Sequence, residues 1–295
     1  MRRSLHALAA LVLFGCATED EPSPPTGPTC EGAPLPAVPP TCNGAEGLCA
    51  RRYSDVAFPT THNAMSNADD GWAVPNQEHG IGRQLADGVR GLMLDVHPSE
   101  GGTFLCHGVC QLGRRPLADG LADLRSFLDC HPGEVVTIIF ESYVTAGELE
   151  AAFVAADALR LTHPQVPGDP WPTLGELVAA GERLVVLTDS HGGERPWLLD
   201  VWAHAWETPY AFASAAEMTC APNRGDPGNP LYILNHFITN PVAAPEFAET
   251  VNHDPFFLER ALACRGEAGQ LPNFPTVDFY TIGDLFPVVD ALNAP

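Results

Sequence analysis

Arg90-Gly91-Leu92-Met93-Leu94-Asp95-Val96-His97 is an apolar run that turns polar at its C-terminal end. A short apolar run with that ending reads as a strand buried on both faces, whose last residues emerge at the edge of a sheet. The same shape recurs at residues 134–141 (EVVTIIFE), 183–189 (RLVVLTD) and 231–236 (LYILNH). Residues 56–61 (VAFPTT), 103–107 and 276–280 (TVDFY) are further candidate strands. Between them lie helical stretches. Residues 80–88 close on a glycine, residues 117–130 carry apolar side chains at 117, 121, 124, 127 and 128, and a third helix is expected over about 146–161. Strands alternating with helices indicate a parallel sheet, and the expected fold is α/β: a TIM-type (β/α) barrel, irregular or incomplete. Such a barrel works at the C-terminal face of its strands. His62, Asn63, Asp95, His107, Glu141, Asp189, His236 and Asp278 all fall at or near strand ends, so one cleft is expected to gather them.

The composition narrows the chemistry. Fifteen Lys and Arg stand against 37 Asp and Glu in 295 residues, a net charge of −22. No basic run is present to neutralise a nucleic-acid backbone, so nucleic acid is excluded as a partner. A phosphate handled by such a chain must be met locally, by a few residues or an ion. The strand ends offer two histidines, carboxylates and an amide. Phosphodiester cleavage requires a base, an acid and charge compensation at the phosphate oxygens, and imidazole serves either proton-transfer role near neutral pH. Asn63, Asp95 and Glu141 offer the oxygen ligands that a hard cation prefers. Arg90 stands as a phosphate contact or a structural cation, and His236 as a lining residue of the cleft. No Gly-x-Ser-x-Gly elbow or P-loop occurs.

The N-terminus reads as an export signal over residues 1–15. Arg2 and Arg3 precede a short apolar stretch, then Leu13-Phe14-Gly15-Cys16 resembles the lipobox at which bacterial lipoproteins are acylated. A Pro-rich tether with cysteine staples is expected over residues 16–50, and the barrel domain over 51–295. The expected location is the cell envelope, anchored at Cys16, with secretion as the alternative. Setting Cys16 aside leaves eight cysteines, an even number suited to disulfides in an oxidising compartment. Zinc at Cys106 and Cys110 is the rival reading, without a second pair to complete four ligands.

Several ordered motifs resemble the X-domain family of phosphatidylinositol-specific phospholipase C. Thr61-His62-Asn63-Ala64-Met65-Ser66 looks like its first catalytic box, and residues 84–95 (QLADGVRGLMLD) like its helix and second strand. Leu105-Cys106-His107-Gly108 resembles the second histidine box, residues 131–141 the following strand, and residues 272–280 (PNFPTVDFY) a late strand of secreted bacterial members. The resemblance implies that His62 is a general base activating a substrate hydroxyl that attacks phosphorus. It implies that His107 is the general acid and that Asp278 fixes the tautomer of His62. Asn63, Asp95 and Glu141 match the calcium-dependent type, whereas Met93 departs from it, standing where a further carboxylate is common. Thioether sulfur is a poor ligand for a hard cation. The implied substrate is a phospholipid or an inositol-phosphate-type compound, met by a monomer. Competing readings are a glycerophosphodiester phosphodiesterase or sphingomyelinase D-like enzyme, and a surface binding module whose catalysis has lapsed.

Overall fold

The computed structural model describes residues 40–295; the signal and anchor expected at residues 1–16, and the tether up to residue 39, lie outside the described residues. In chain order the elements are β1 (Thr60–Thr61), α1 (Ile81–Asp87), β2 (Gly91–Ser99), β3 (Gly102–Leu105), β4 (Arg115–Pro116) and α2 (Leu117–Cys130). There follow β5 (Val136–Ser142), α3 (Ala146–Ala155), α4 (Leu174–Ala180), β6 (Leu184–Thr188), β7 (Leu198–Asp200), α5 (Val201–His204) and β8 (Ala205–Glu207). The chain closes with β9 (Leu231–Asn235), α6 (Pro245–Val251), α7 (Phe256–Ala268), β10 (Phe274–Val277) and α8 (Leu285–Asn293).

Eight strands pair in the order β7-β6-β5-β2-β1-β10-β9-β8, every neighbour parallel. This is a curled parallel half-barrel, the distorted form of a TIM barrel. Side chains alternate between two apolar layers, as the pleat requires. Leu92, Leu94, Ile138, Phe140 and Val186 face outward onto the helices. Ile139, Val185, Leu187, Ile233 and Phe274 face inward with Tyr53, Phe58 and Trp171. Burial on both sides explains why β5 and β6 read as continuous β-branched runs.

Local chemistry sets the ends of the elements. α3 and α4 each begin with a reciprocal cap, Thr145 with Glu148 and Thr173 with Glu176. α1 ends at Gly88, whose φ of 115° is a conformation that side chains resist. Gly91 is needed because a Cβ there would come within 2.3 Å of Thr60 Oγ1 on β1.

Several expected strands are shorter or differently placed. Over 56–61 only Thr60–Thr61 pair, because Pro59 has no N–H to give the ladder. The last strand ends at Val277, before the left-handed turn at Phe279 (φ 48°). The third helix ends at Ala155, near the left-handed Asp157 (φ 55°). β3 is antiparallel to β2 and carries β4 beyond it, a flap off the barrel rather than one of its staves. Residues expected in the tether are already packed: Cys42 bonds Cys49, and the Asn43 side chain pairs with the Val135 backbone through two hydrogen bonds of 3.1 and 2.7 Å. Cys106–Cys110 and Cys220–Cys264 are also disulfides, and Cys130 is disulfide-bonded. The pairing of Cys106 with Cys110 removes both from any zinc site.

Candidate active site

The register of the sheet assembles the first pair of residues. Thr61 on β1 lies opposite Val277 on β10, so the next residues, His62 and Asp278, leave neighbouring strands side by side. His62 N–H donates to the Val277 carbonyl (2.9 Å), and its Nδ1–H donates to Asp278 Oδ1, also at 2.9 Å. Asn76 Nδ2 donates to the same carboxylate oxygen at 3.0 Å, while the buried Oδ2 has no hydrogen-bond partner. The His62 ring stacks on Phe237 at 3.9 Å, 7° from parallel. With Nδ1 committed to Asp278, the lone pair at Nε2 is left for a ligand. Burial alone would lower the His62 pKa, but the charge and hydrogen bond of Asp278, helped by Asp95 and Glu141, outweigh it, and the net shift is upward.

The flap delivers the second imidazole. His107 follows β3 and sits inside the Cys106–Cys110 loop. Asn63 adopts a left-handed backbone (φ 45°), which Asn tolerates better than most residues, and its amide nitrogen comes within 3.4 Å of His107 Nε2. Burial first, then the nearby His62, lowers the His107 pKa. The two histidines thus titrate apart in opposite directions.

Carboxylates line the floor. Asp95 and Glu141 face each other across the β2–β5 pairing, and Asp189 lies just past the end of β6. Burial, then Glu141, pushes the Asp95 carboxyl up to about 7, with His62 acting the other way. The Tyr143 hydroxyl donates to Glu141 Oε1, and Asp189 Oδ1 accepts from the Ser142 amide at 2.9 Å. Among the described residues no three His, Cys, Asp or Glu side chains converge as a metal cluster. The donor chemistry of two carboxylates and the Asn63 amide still suits a hard cation, while Met93 in the same cleft contributes only sulfur.

One wall was not foreseen from the sequence. Glu207, almost fully buried, accepts from Arg224 Nε at 2.5 Å and Asn235 Nδ2 at 3.0 Å. The Arg224 guanidinium lies over Trp202 and Tyr210, 4.6 Å from each ring centre. These residues line the cleft with His62, Asp95 and Glu141. Arg224 sits in a Pro-, Asn- and Gly-rich loop with no periodicity, and its only sequence signal is a lone cation among turn residues.

Two expected site residues are elsewhere. Arg90 precedes β2, five residues from Asp95, so about 16 Å of strand separates it from the cleft. Its guanidinium bonds Glu134 (2.6 Å) and the Leu85 and Val89 carbonyls, over the Phe127 ring. Of its two readings the structural one holds. His236 is fully buried against Phe257, with Nε2 on the Val251 carbonyl and Nδ1 on Arg260. The pleat turns it outward, and its neighbour Phe237 faces the cleft instead.

The fold and this edge define a class: the distorted TIM barrels of phosphatidylinositol-specific phospholipase C. Staphylococcus aureus phosphatidylinositol-specific phospholipase C shares the fold with a TM-score of 0.57 at 13% identity, over 84% of this chain and 95% of that one. The family model described as PI-PLC X 1 matches residues 48–293, and the chain belongs to the PI-PLC X domain family. A PI-PLC X domain-containing protein of Arabidopsis thaliana is 31% identical over 263 residues, 80% of this chain. A protein of Arthroderma benhamiae described as an uncharacterized secreted protein is 27% identical over 81% of this chain. The chain spans 61% and 60% of the length of these two relatives.

Proposed function

We propose that this chain cleaves a phosphodiester in a phospholipid or related headgroup by paired imidazole catalysis. The observation that carries the reading is the His62–Asp278 hydrogen bond, with His107 facing the same cleft across Asn63. His62 Nε2 takes the proton of a headgroup hydroxyl, whose oxygen attacks phosphorus; the P–O bond to the leaving alcohol breaks, and His107 protonates that alkoxide. The products are a cyclic phosphate and a free alcohol. Asp278 holds the His62 tautomer and stabilises the imidazolium that forms. A bound diester adds negative charge beside His107 and favours its protonated form.

Calcium is the proposed cofactor, held by Asn63, Asp95 and Glu141. When bound it would neutralise charge at the phosphate oxygens. Exposed apolar side chains surround the opening: Val74, Tyr143, Tyr210 and Val242 line it, with Val109 and Leu112 beside them. That rim suits a substrate presented at a lipid surface. The disulfides are consistent with an extracytoplasmic location; export and acylation at Cys16 belong to the proposal, and labelling with a radioactive fatty acid in cells tests them.

The deciding assay is release of water-soluble phosphate esters from phosphatidylinositol in mixed micelles, with calcium or chelator. The expected result is cyclic inositol phosphate from the full chain and none from His62→Ala. Absence of turnover on phosphodiesters, or a free alcohol headgroup as product, defeats the reading.

A further inference from the structure

The cleft meets phosphate without the arginine expected there. Arg90 lies at the other end of β2, and Arg224, bonded to Glu207 through Nε, lines the inner cleft but not the opening that holds His107. A third imidazole stands at that opening. Met93, Asp95 and His97 alternate along β2 on the cleft side, and His97 lines the same opening as His62, His107 and Glu141. Its ring lies 4.1 Å from that of Tyr143, 13° from parallel, and the Tyr143 hydroxyl is itself tied to Glu141. Its Nε2 atom is buried and has no hydrogen-bond partner. A buried polar atom without a partner costs free energy, so a native structure that keeps one commonly supplies the partner from a ligand, a water or an ion.

We propose that His97 is a substrate-binding residue whose Nε2–H donates to a nonbridging oxygen of the scissile phosphodiester. The proposal rests on the phosphodiesterase reading above. Stacking on Tyr143 holds the plane of the ring, and because Nε2 is shielded in the unliganded chain, the side chains covering it must shift as the phosphate enters. Among the carboxylates at this opening, an N–H donor uncovered by that shift gives a phosphate oxygen a place to rest. The contact exists in both ground and transition states, so its loss acts on KM more than on kcat.

The test compares the full-length chain with His97→Leu and His97→Gln in one micelle assay. Removing a hydrogen bond to a charged group is expected to raise KM about tenfold in His97→Leu with kcat changed far less. His97→Gln, which keeps an N–H near the same place, is expected to recover most of that loss. Equal unfolding midpoints exclude a merely structural effect. Calorimetric binding of glycerophosphoinositol to His62→Ala, with and without His97→Leu, reads the contact without turnover. Unchanged KM and unchanged binding in His97→Leu overturn the proposal while leaving the function intact. If the wild-type chain has no turnover but its diester binding depends on His97, the contact stands and the enzymatic reading falls.

Discussion

His62 and Asp278 stand one step beyond the Thr61–Val277 pair on neighbouring strands, 216 residues apart in the chain and 2.9 Å apart at Nδ1 and Oδ1. The hydrogen bond is therefore a property of sheet register, and its catalytic weight can be measured. Asp278→Asn keeps the shape but can donate to Nδ1, favouring the wrong tautomer. By analogy with other carboxylate–histidine pairs, kcat is expected to fall roughly 10²–10⁴-fold. A loss under threefold, at an unchanged unfolding midpoint, would show that the carboxylate does not orient the base.

The two histidines should separate by leaving group. A p-nitrophenolate departs without a proton, so a p-nitrophenyl inositol phosphodiester bypasses the acid. His107→Ala should lose on the order of 10²-fold or more on phosphatidylinositol and recover most of it on the activated ester, while His62→Ala stays inactive on both. Steady-state rates on the two substrates decide; identical losses for both variants would void the assignment of roles.

The pKa directions set the pH profile. His62 holds its proton above the ordinary imidazole value and His107 loses its proton below it. On the proposed mechanism the productive form of the unliganded chain, neutral His62 with protonated His107, is thus the minor singly protonated state. The expected kcat/KM profile is a bell with its acid limb below pH 6.5 and its alkaline limb above it. A single limb would contradict the pair. Bound diester favours protonated His107, so in kcat the limb belonging to His107 should move upward.

Arg90 gives a prediction of the opposite kind. Breaking its pair with Glu134, both largely buried, should cost about 3–5 kcal/mol of stability. Chemical denaturation measures this, while kcat of the folded fraction should hold within about twofold. A specific loss of kcat without loss of stability would return Arg90 to the site.

Met93→Glu adds a third carboxylate beside Asp95 and Glu141. Calcium should then bind at least about tenfold more tightly, because affinity in such sites follows ligand charge. Calcium titration of the two proteins checks it; weaker binding would move the ion elsewhere.

Most of what positions His62 was legible in the residues, because both signals are local. Apolar runs such as VVTIIFE announce buried parallel strands, and polar residues at their ends announce an edge. What failed was decided by placement in space, differently at each residue. Arg90 precedes its strand rather than ending it, and closeness in sequence to Asp95 concealed that they occupy opposite ends. His236 and Phe237 differ by one position, and the pleat decides which of them meets the cleft. Arg224 and Tyr210, on loops, meet Trp202 of the short helix α5 through loop geometry, for which periodicity carries no signal. His97 was visible at the end of β2, but its significance depends on Tyr143, contributed by another strand end.

The antiparallel flap of β3 and β4 makes the two imidazoles differ in how they are anchored. His62 and Asp278 leave the paired staves β1 and β10, where a shift of register would disturb the whole sheet. His107 is carried on an appendage closed by its own short cystine loop and joined to a single stave. On the proposed mechanism, changes confined to this arm would reach His107 while leaving the pairing of His62 with Asp278 in place.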